Sequence, residues 1–506
     1  MQVINEQEAA RLLQDQWTVV PGGFGSCGHP DSLTRAIRSR FDDEGAPKNL
    51  SLLFASAAGD RLGKGVDALA LPGLVAKAIG GFWGLVPALS NMATQGTIEA
   101  HNWPQGIVSQ LFRAIASGKS GIYSKIGLET FVDPDRDGGL LNCGGSPSLV
   151  KKLALDDEQI LFYPSIKIDC ALLRGSCSDR EGNISMYNEV SYSDALSQAM
   201  AAKNSGGIVI VQVEKIVEHD ELQPHHVNIP GILVDYVVVA KEGDHPQTYG
   251  NINNPEFVTR GKKKHSSEEI SIAEKIIARR ALAEINHTNA KVVNLGIGIP
   301  ALIGNLDQEN NTKRRFCLTV ESGIIGGDPA SGLSFGASTH PDAIIEQAAL
   351  FDFYEGGGLD LSCLGFAEVD TFGNINVSKF NSRVFGAGGF INITQSTKNI
   401  LFCGTFTAIG LEVSLADGNL IIIKEGSVKK FVKNVSHLTF NGNYSAKLKQ
   451  NIKLITERAV FTLKNSVIYL DEYAPGININ TDIIANMDAN VVISADCRMM
   501  DKKIFY

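Results

Sequence analysis

A single carboxylate stands out for what surrounds it. In Phe316 to Gly327, FCLTVESGIIGG, an apolar run of strand length ends on Glu321 and passes at once into Ser322, Gly323 and the pair Gly326-Gly327. Phe316, Leu318 and Val320 suit a pleated interior, and glycine permits backbone angles that other residues avoid, so the pattern reads as a buried strand entering a tight turn. Glu321 then stands at the carboxyl end of a strand, where open α/β sheets hold their ligands. A carboxylate placed there can attack an electrophile and carry a covalent intermediate. A lone Glu at a strand end is also a common solvated surface group, so position by itself does not decide between the two.

Three glycine clusters offer backbone N–H groups to anionic oxygens: Gly22 to Gly28, Gly296 to Gly298 in GIGIP, and Gly386 to Gly389 in FGAGGF. A dinucleotide fingerprint is a poor fit, because GIGIP has proline where the helix should begin, and no Walker lysine follows any of the three turns. Ser322 lacks the G-x-S-x-G of a nucleophile elbow. His29, His101 and His340 lack metal-ligand spacing and read as ordinary polar or buried histidines. The eight cysteines are scattered without C-x-x-C and read as buried reduced thiols of a cytoplasmic protein; Cys27, in a glycine-rich turn, is the one with a catalytic alternative.

The elements that must position these groups occur twice. Residues 5 to 15 read as a helix capped by Asn5 with Glu8 three residues on, followed by the strand Trp17 to Val20 and then PGGFGSCGHP. The same order returns as a capping pair Ser266 and Glu269, a helix over Ile270 to Ile285, a strand over Lys291 to Leu295, and GIGIP. LSLLFAS at Leu50 to Ser56 echoes FCLTVES at Phe316 to Ser322, with Ala55 opposite Glu321. RGSCSDREGNIS at Arg174 to Ser185 echoes GFAEVDTFGNINVS at Gly365 to Ser378. Four features in one order in both halves predict two related α/β domains, only the second of which keeps the carboxylate. Short β-branched runs such as Gly207 to Val213 and Ile232 to Ala240 alternate with helical stretches such as Ala195 to Lys203, which predicts mostly parallel sheets covered by helices. Lys241 to Lys264 is polar and broken by Pro246 and Pro255, the composition of a linker. The predicted division is 1–240, linker 241–265, and 266–506.

Length supports that division, since 506 residues exceed one ordinary core. The 44% hydrophobic and 20% charged content is that of a soluble globular protein. A net charge of −9, with no basic stripe beyond Lys262 to Lys264, argues against nucleic-acid binding. The N-terminal stretch has no apolar core of a signal peptide, and Leu74 to Ser90 is too short and too interrupted to span a membrane.

Taken together, PGGFGSCGHP, IEAHNWPQG, TFVDPDRDGG, GNIS, QVE, LTVESGIIGG, FDFYEGGGLD, GNINVS, FGAGGF, GTFTAIG and TERAVF resemble, in that order, the family I coenzyme A transferases. The resemblance runs from about Ala9 to about Ala495 and is strongest to the fused-chain acetate or propionate type. It implies two similar open α/β domains with the active site between them, and Glu321 as the catalytic glutamate. It also implies that Gly296, Ile297 and Gly298, with Gly386, Gly388 and Gly389, hold the coenzyme and the reacting carbonyl. Gln105, in NWPQG, becomes an oxyanion or carboxylate contact. The implied partners are a short-chain acyl-CoA and a short-chain carboxylate, with coenzyme A as substrate, no permanently bound cofactor, no metal, and a homo-oligomer, dimer or tetramer, in the cytoplasm. His101 stands where Tyr or Phe is expected, Glu129 where Gly is expected, and Arg136 comes one residue late; these departures bear on substrate choice.

Such a transfer exchanges one thioester for another of nearly equal energy. Glu321 attacks the acyl-CoA carbonyl to give a mixed anhydride and free thiolate, and the thiolate returns to the glutamyl carbonyl to give an enzyme thioester. A carboxylate of pKa about 4.3 is a weak nucleophile, so positioning, which can lower a barrier by roughly 7 to 11 kcal/mol, must supply much of the rate. Each N–H aimed at the oxyanion adds about 3 kcal/mol, and Gly388 is the favoured donor. A hydrolase, in which water takes the acyl or glutamyl group, uses the same Glu321. A ligand-binding regulatory module would need an appended basic helix-turn-helix, and the sequence has none.

Overall fold

The computed structural model describes residues 1–142, 147–261, 270–310, 315–380 and 383–506, with the backbone alone at 305 and 307–310. The chain forms two compact units, one of Met1–Lys262, Val320–Asp352 and Asn381–Asn392, the other of Lys263–Thr319, Phe353–Phe380 and Ile393–Tyr506. Both carry helices with mostly parallel sheets, the class that the alternation of β-branched and helical segments predicts.

The first unit is built on strands β1 (Gln2–Val3), β2 (Thr18–Pro21), β3 (Leu50–Ser56), β4 (Val75–Phe82), β5 (Glu99–Asn102), β6 (Cys170–Arg174), β7 (Ile208–Val213) and β8 (Tyr236–Val239). They lie in the order β1-β8-β7-β6-β2-β3-β4-β5, every pair parallel. Val19, Leu52, Phe54, Ala78, Leu172 and Ile210 from these strands form the core with residues of helices α1 (Glu6–Leu12), α2 (Asp31–Glu44) and α3 (Pro87–Gln95). Asn5 caps α1 as expected: its Oδ1 accepts from the N–H groups of Gln7 and Glu8, while Glu8 Oε2 accepts from Asn5 N–H. Helices α4 (Gln105–Ala116) and α5 (Ala195–Asn204) pack on each other.

In the second unit, helix α6 (Ile272–Thr288) is capped by Ser271 with Glu274. The predicted pair Ser266 and Glu269, like Lys262 to Lys264, lies outside the described residues. Strand β9 (Val292–Leu295) leads into helix α7 (Ile299–Asn310), and β10 (Cys317–Val320) follows. With β11 (Leu361–Gly365), β12 (Asn399–Cys403) and β13 (Asn451–Ile455) they form a parallel stretch ordered β10-β9-β11-β12-β13. Strands β14 (Ala459–Lys464) and β15 (Val467–Tyr473) continue it antiparallel, and β16 (Val492–Met499) pairs parallel at the far side.

The sequence echo is repeated in hydrogen bonds. Gly22 N–H donates to Leu172 O and Gly296 N–H donates to Cys363 O, both at 2.8 Å, so each glycine turn leaves its strand against the same neighbour. Asp179 Oδ1 accepts from Glu181 and Asn183 N–H, and Asn183 Oδ1 accepts from Gly231 N–H. In the second unit Asp370 Oδ1 accepts from Phe372 and Asn374 N–H, and Asn374 Oδ1 accepts from Gly442 N–H. The shared Asp, Gly and Asn-Ile letters thus encode one turn used twice.

Residues 241–261, which have the composition of a linker, are fastened within the first unit. Gln247 and Thr248 are buried, Gln247 Nε2 donates to Asn188 O at 2.9 Å, Thr248 shares a 2.9 Å hydrogen bond with Ser334, and Tyr249 O–H donates to Asp31 at 3.0 Å. The Gln, Asn, Thr and Tyr residues that gave the segment its linker character are the groups that fasten it.

Candidate active site

Glu321 follows β10 directly, and the residues around it are fixed on both sides. Val320 and Ser322 are buried, while Glu321 is half-buried. Ser322 Oγ donates to Gly336 O at 2.7 Å, and its carbonyl accepts from Ser191 Oγ. Gly323 N–H donates to Val320 O at 3.0 Å and Gly323 O accepts from Ile345 N–H at 2.8 Å. At φ +105°, with Ile345 O only 2.0 Å from where a Cβ would stand, position 323 admits glycine alone. The turn anticipated from ESGIIGG is therefore a rigid mount for the carboxylate.

The FGAGGF segment belongs to the same unit and meets Glu321. A Cβ on Gly389 would lie 3.2 Å from Glu321 Cγ and 3.2 Å from Phe351 Cζ, so the carboxylate stem rests directly on glycine backbone. Gly386, at φ +73°, would place a Cβ 2.5 Å from Gly81 O. Asn102 locks this segment to the end of β4: its Nδ2 donates to Gly80 O at 2.7 Å and Gly81 O at 2.6 Å, and its Oδ1 accepts from Ala387 N–H at 2.8 Å. Gln105, at the start of α4, donates its own N–H to Gly388 O at 3.0 Å, and its Oε1 is 3.6 Å from the Cβ position of Gly388. Glu321, Gly386, Gly388, Gly389 and Gln105 thus come together in one compact unit.

The favoured oxyanion donor is engaged with a neighbouring carbonyl. The N–H of Gly388, the favoured oxyanion donor, is already committed to Gly81 O at 3.0 Å. Among the described residues the N–H of Gly389, one residue on, has no such acceptor. Motif matching could not separate the two, because the commitment depends on how closely the Gly80-Gly81 end of β4 approaches. Asn102 and Gly81 were also missed as supports, although Asn102 lies within the IEAHNWPQG block and the GG pair interrupts β4.

Gly296, Ile297 and Gly298 belong to the second unit. They form the exposed turn between β9 and α7, with Ile297 49% exposed and open space beside Gly298, whose φ is +77°.

The departures have physical accounts. His101 is buried, and one ring nitrogen lies 2.7 Å from Glu99 Oε1, which Lys77 also meets at 2.7 Å. Burial lowers the His101 pKa despite Glu99. Glu129 adopts φ +60°, the conformation a glycine would take freely, and its carboxylate pairs with Arg136 at 3.3 Å, so the two departures compensate each other. His29 is buried between Gly22 O and Thr34 Oγ1 at 2.9 and 3.1 Å, the ordinary buried histidine expected. Burial pushes the Cys27 thiol up to about 12, which removes it as a nucleophile.

The family model described as coenzyme A transferase matches residues 3–240. Beyond that segment, the chain is 41% identical to the acetate CoA-transferase YdiF of Escherichia coli O157:H7, over 99% of this chain and 95% of that one. The chain belongs to the coenzyme A transferase family. This CoA-transferase is also 42% identical to the caffeate CoA-transferase of Acetobacterium woodii, over 99% of this chain and 97% of that one. The crystal structure of the E. coli O157:H7 acyl-CoA transferase YdiF in a thioester complex with CoA superposes with TM-score 0.93 at 40% identity, covering 100% of this chain and 96% of that one. The chain is an enzyme that transfers coenzyme A, with acyl-CoA as substrate, and the hydrolase alternative is not favoured. No helix among the described residues is long and apolar enough to cross a membrane.

Proposed function

We propose that this CoA-transferase exchanges coenzyme A between short-chain acyl-CoA and short-chain carboxylates of the acetate and propionate class, with Glu321 as the covalent carrier. The observation that carries the assignment is the contact of the Glu321 stem with Gly389, on a turn where position 323 admits only glycine. A nucleophile that weak needs such fixing, and the geometry supports it.

Glu321 attacks the acyl carbonyl; the C–S bond breaks, CoA leaves as thiolate, and a glutamyl–acyl anhydride remains. The thiolate then attacks the glutamyl carbonyl, the acyl group leaves as carboxylate, and CoA is held as a thioester on Glu321. A second carboxylate reverses both steps. Gly389, whose N–H has no acceptor among the described residues, takes the oxyanion role in place of Gly388, and the Gln105 amide contacts the carboxylate or acyl oxygen. Gly386 shapes the segment, and Gly296, Ile297 and Gly298 contact the coenzyme.

The remaining assignments are a homo-oligomer, dimer or tetramer, a cytoplasmic location, no permanently bound cofactor or metal, and family domains 1–240 and 266–506 joined by 241–265. The deciding experiment incubates the enzyme with acetyl-CoA and propionate and follows acyl-CoA products by chromatography. Propionyl-CoA should form, Glu321→Ala should form none while staying folded, and borohydride after acyl-CoA should modify position 321 alone. Turnover by Glu321→Ala would remove the mechanism.

A further inference from the structure

Behind Gln105 runs a buried polar chain that ends in a charge. Gln105 Nε2 donates to Gln347 Oε1 at 3.4 Å, Gln347 Nε2 donates to Asp194 Oδ2 at 2.8 Å, and Ser109 Oγ donates to Asp194 Oδ1. All four side chains are at most 2% exposed. Gln105 and Ser109 are one turn apart on α4, so a single helix supplies the two ends of the chain. Gln347, which opens helix α8 (Gln347–Phe353), donates its backbone N–H to Ser193 O at 2.9 Å, and this holds it beside Asp194.

The two ends of a glutamine amide have nearly the same shape, so its orientation is chosen by the polarity of its neighbours. An ionised carboxylate only accepts. With Ser109 on one oxygen, Gln347 must turn its NH2 to the other. Its carbonyl then faces Gln105, which must answer with NH2. We propose that Asp194, acting through Gln347, is the positioning residue that sets the amide polarity of Gln105, so that Gln105 presents a remaining N–H toward the substrate oxygen. The proposal rests on the role proposed for Gln105 at the Glu321 site.

Burial pushes the Asp194 carboxyl up to about 7, and Glu346 adds to the rise, while the hydrogen bonds from Ser109 and Gln347 and the charge of Arg113 oppose it. Arg113, on α4, is itself paired with Asp352 at 2.6 Å. Ser197 Oγ and Gln198 N–H, on α5, donate to the Asp194 carbonyl rather than to its carboxylate. A protonated Asp194 carries an O–H that must be accepted. On Oδ1 it is accepted by Ser109 Oγ and the chain stands; on Oδ2 Gln347 accepts it only by turning over, and that reversal passes to Gln105.

The test compares kcat and KM against pH for wild type, Asp194→Asn, Gln347→Met and the double variant, using acetyl-CoA and propionate. In wild type, kcat/KM for propionate should rise through an inflection near pH 7. Each single variant should lose that inflection and fall about tenfold at pH 8, the size of one hydrogen bond. The double variant should be no worse than either single, because both cut the same chain. Borohydride labelling of Glu321 from acyl-CoA should persist in all of them. Multiplying losses, or an unchanged pH profile in Asp194→Asn or Gln347→Met, would overturn the relay. Absence of label in wild type would instead overturn the role of Glu321. Gln347→Met carries the test if Asp194→Asn does not fold.

Discussion

Replacing Gly389 with alanine separates positioning of Glu321, the proposed nucleophile, from folding. The backbone at 389 lies outside the left-handed region, so alanine costs nothing there in φ. Its methyl would meet Glu321 Cγ and Phe351 Cζ at 3.2 Å, whereas carbon atoms rest at about 3.5–4.0 Å, so a neighbour must yield by roughly 0.3–0.8 Å. Phe351 is wholly buried and Glu321 is not, and the displacement therefore falls on the carboxylate. Overpacking of this size costs about 1 kcal/mol, a shift of a few degrees in Tm. A misplacement near 1 Å can cost about 100-fold in rate, and half of that about tenfold. Gly389→Ala should stay folded by circular dichroism, lose about ten- to a hundredfold in the acetyl-CoA and propionate exchange, and label slowly with borohydride at 321. Gly388→Ala is the control. Its φ of +55° costs about 1–2 kcal/mol, yet its methyl meets Phe82 at 3.4 Å and Gln105 Oε1 at 3.6 Å without crowding Glu321, so labelling should persist. Full turnover in folded Gly389→Ala would refute the argument that this contact positions the nucleophile.

Gly323→Ala should destabilise by at least about 3 kcal/mol through strain and collision with Ile345 O; an unchanged denaturation midpoint would contradict the turn geometry. Glu189 is buried, which by itself would raise its pKa, but Arg174 at 3.1 Å and His245 at 3.2 Å outweigh burial and hold it at about 2 instead of 4.5. The stability this cluster adds is fully present above pH 4.5 and is lost as pH falls toward 2, so Arg174→Met, which leaves Glu189 buried beside a neutral side chain, should move the acid-unfolding midpoint upward in a circular dichroism titration. Cys27, with its thiol near 12, should resist iodoacetamide in the native enzyme and react only after unfolding; native modification at Cys27 in peptide mass spectra would count against its burial.

The fold was legible because its signals are local and repeated. Asn5 with Glu8 caps a helix wherever it occurs, and the Asp, Gly and Asn-Ile turn appears in both units with the same donors and acceptors. The packing of 241–261 was not legible, because polar composition records only that a residue can hydrogen-bond, not whether its partner is water or protein. Gln247 and Tyr249 found their partners at Asn188 and Asp31, 59 and 218 residues away, a separation no local window spans.

The site divides along the same line. Glu321 was legible because its strand, its turn and its glycines are contiguous in sequence. The proposed oxyanion donor was not, since Gly388 and Gly389 differ only in which N–H the end of β4 has already claimed. Asp194 carried no signal either: it immediately precedes α5 but makes no side-chain capping bond there, and its carboxylate accepts from Gln347 and Ser109 instead. A carboxylate released from capping and buried among neutral donors is costly unless those donors satisfy it, and the donors here lead to Gln105. In the proposed relay the polarity of Gln105 is set by residues from three distant stretches of chain, which is why a motif could name Gln105 without saying what holds it.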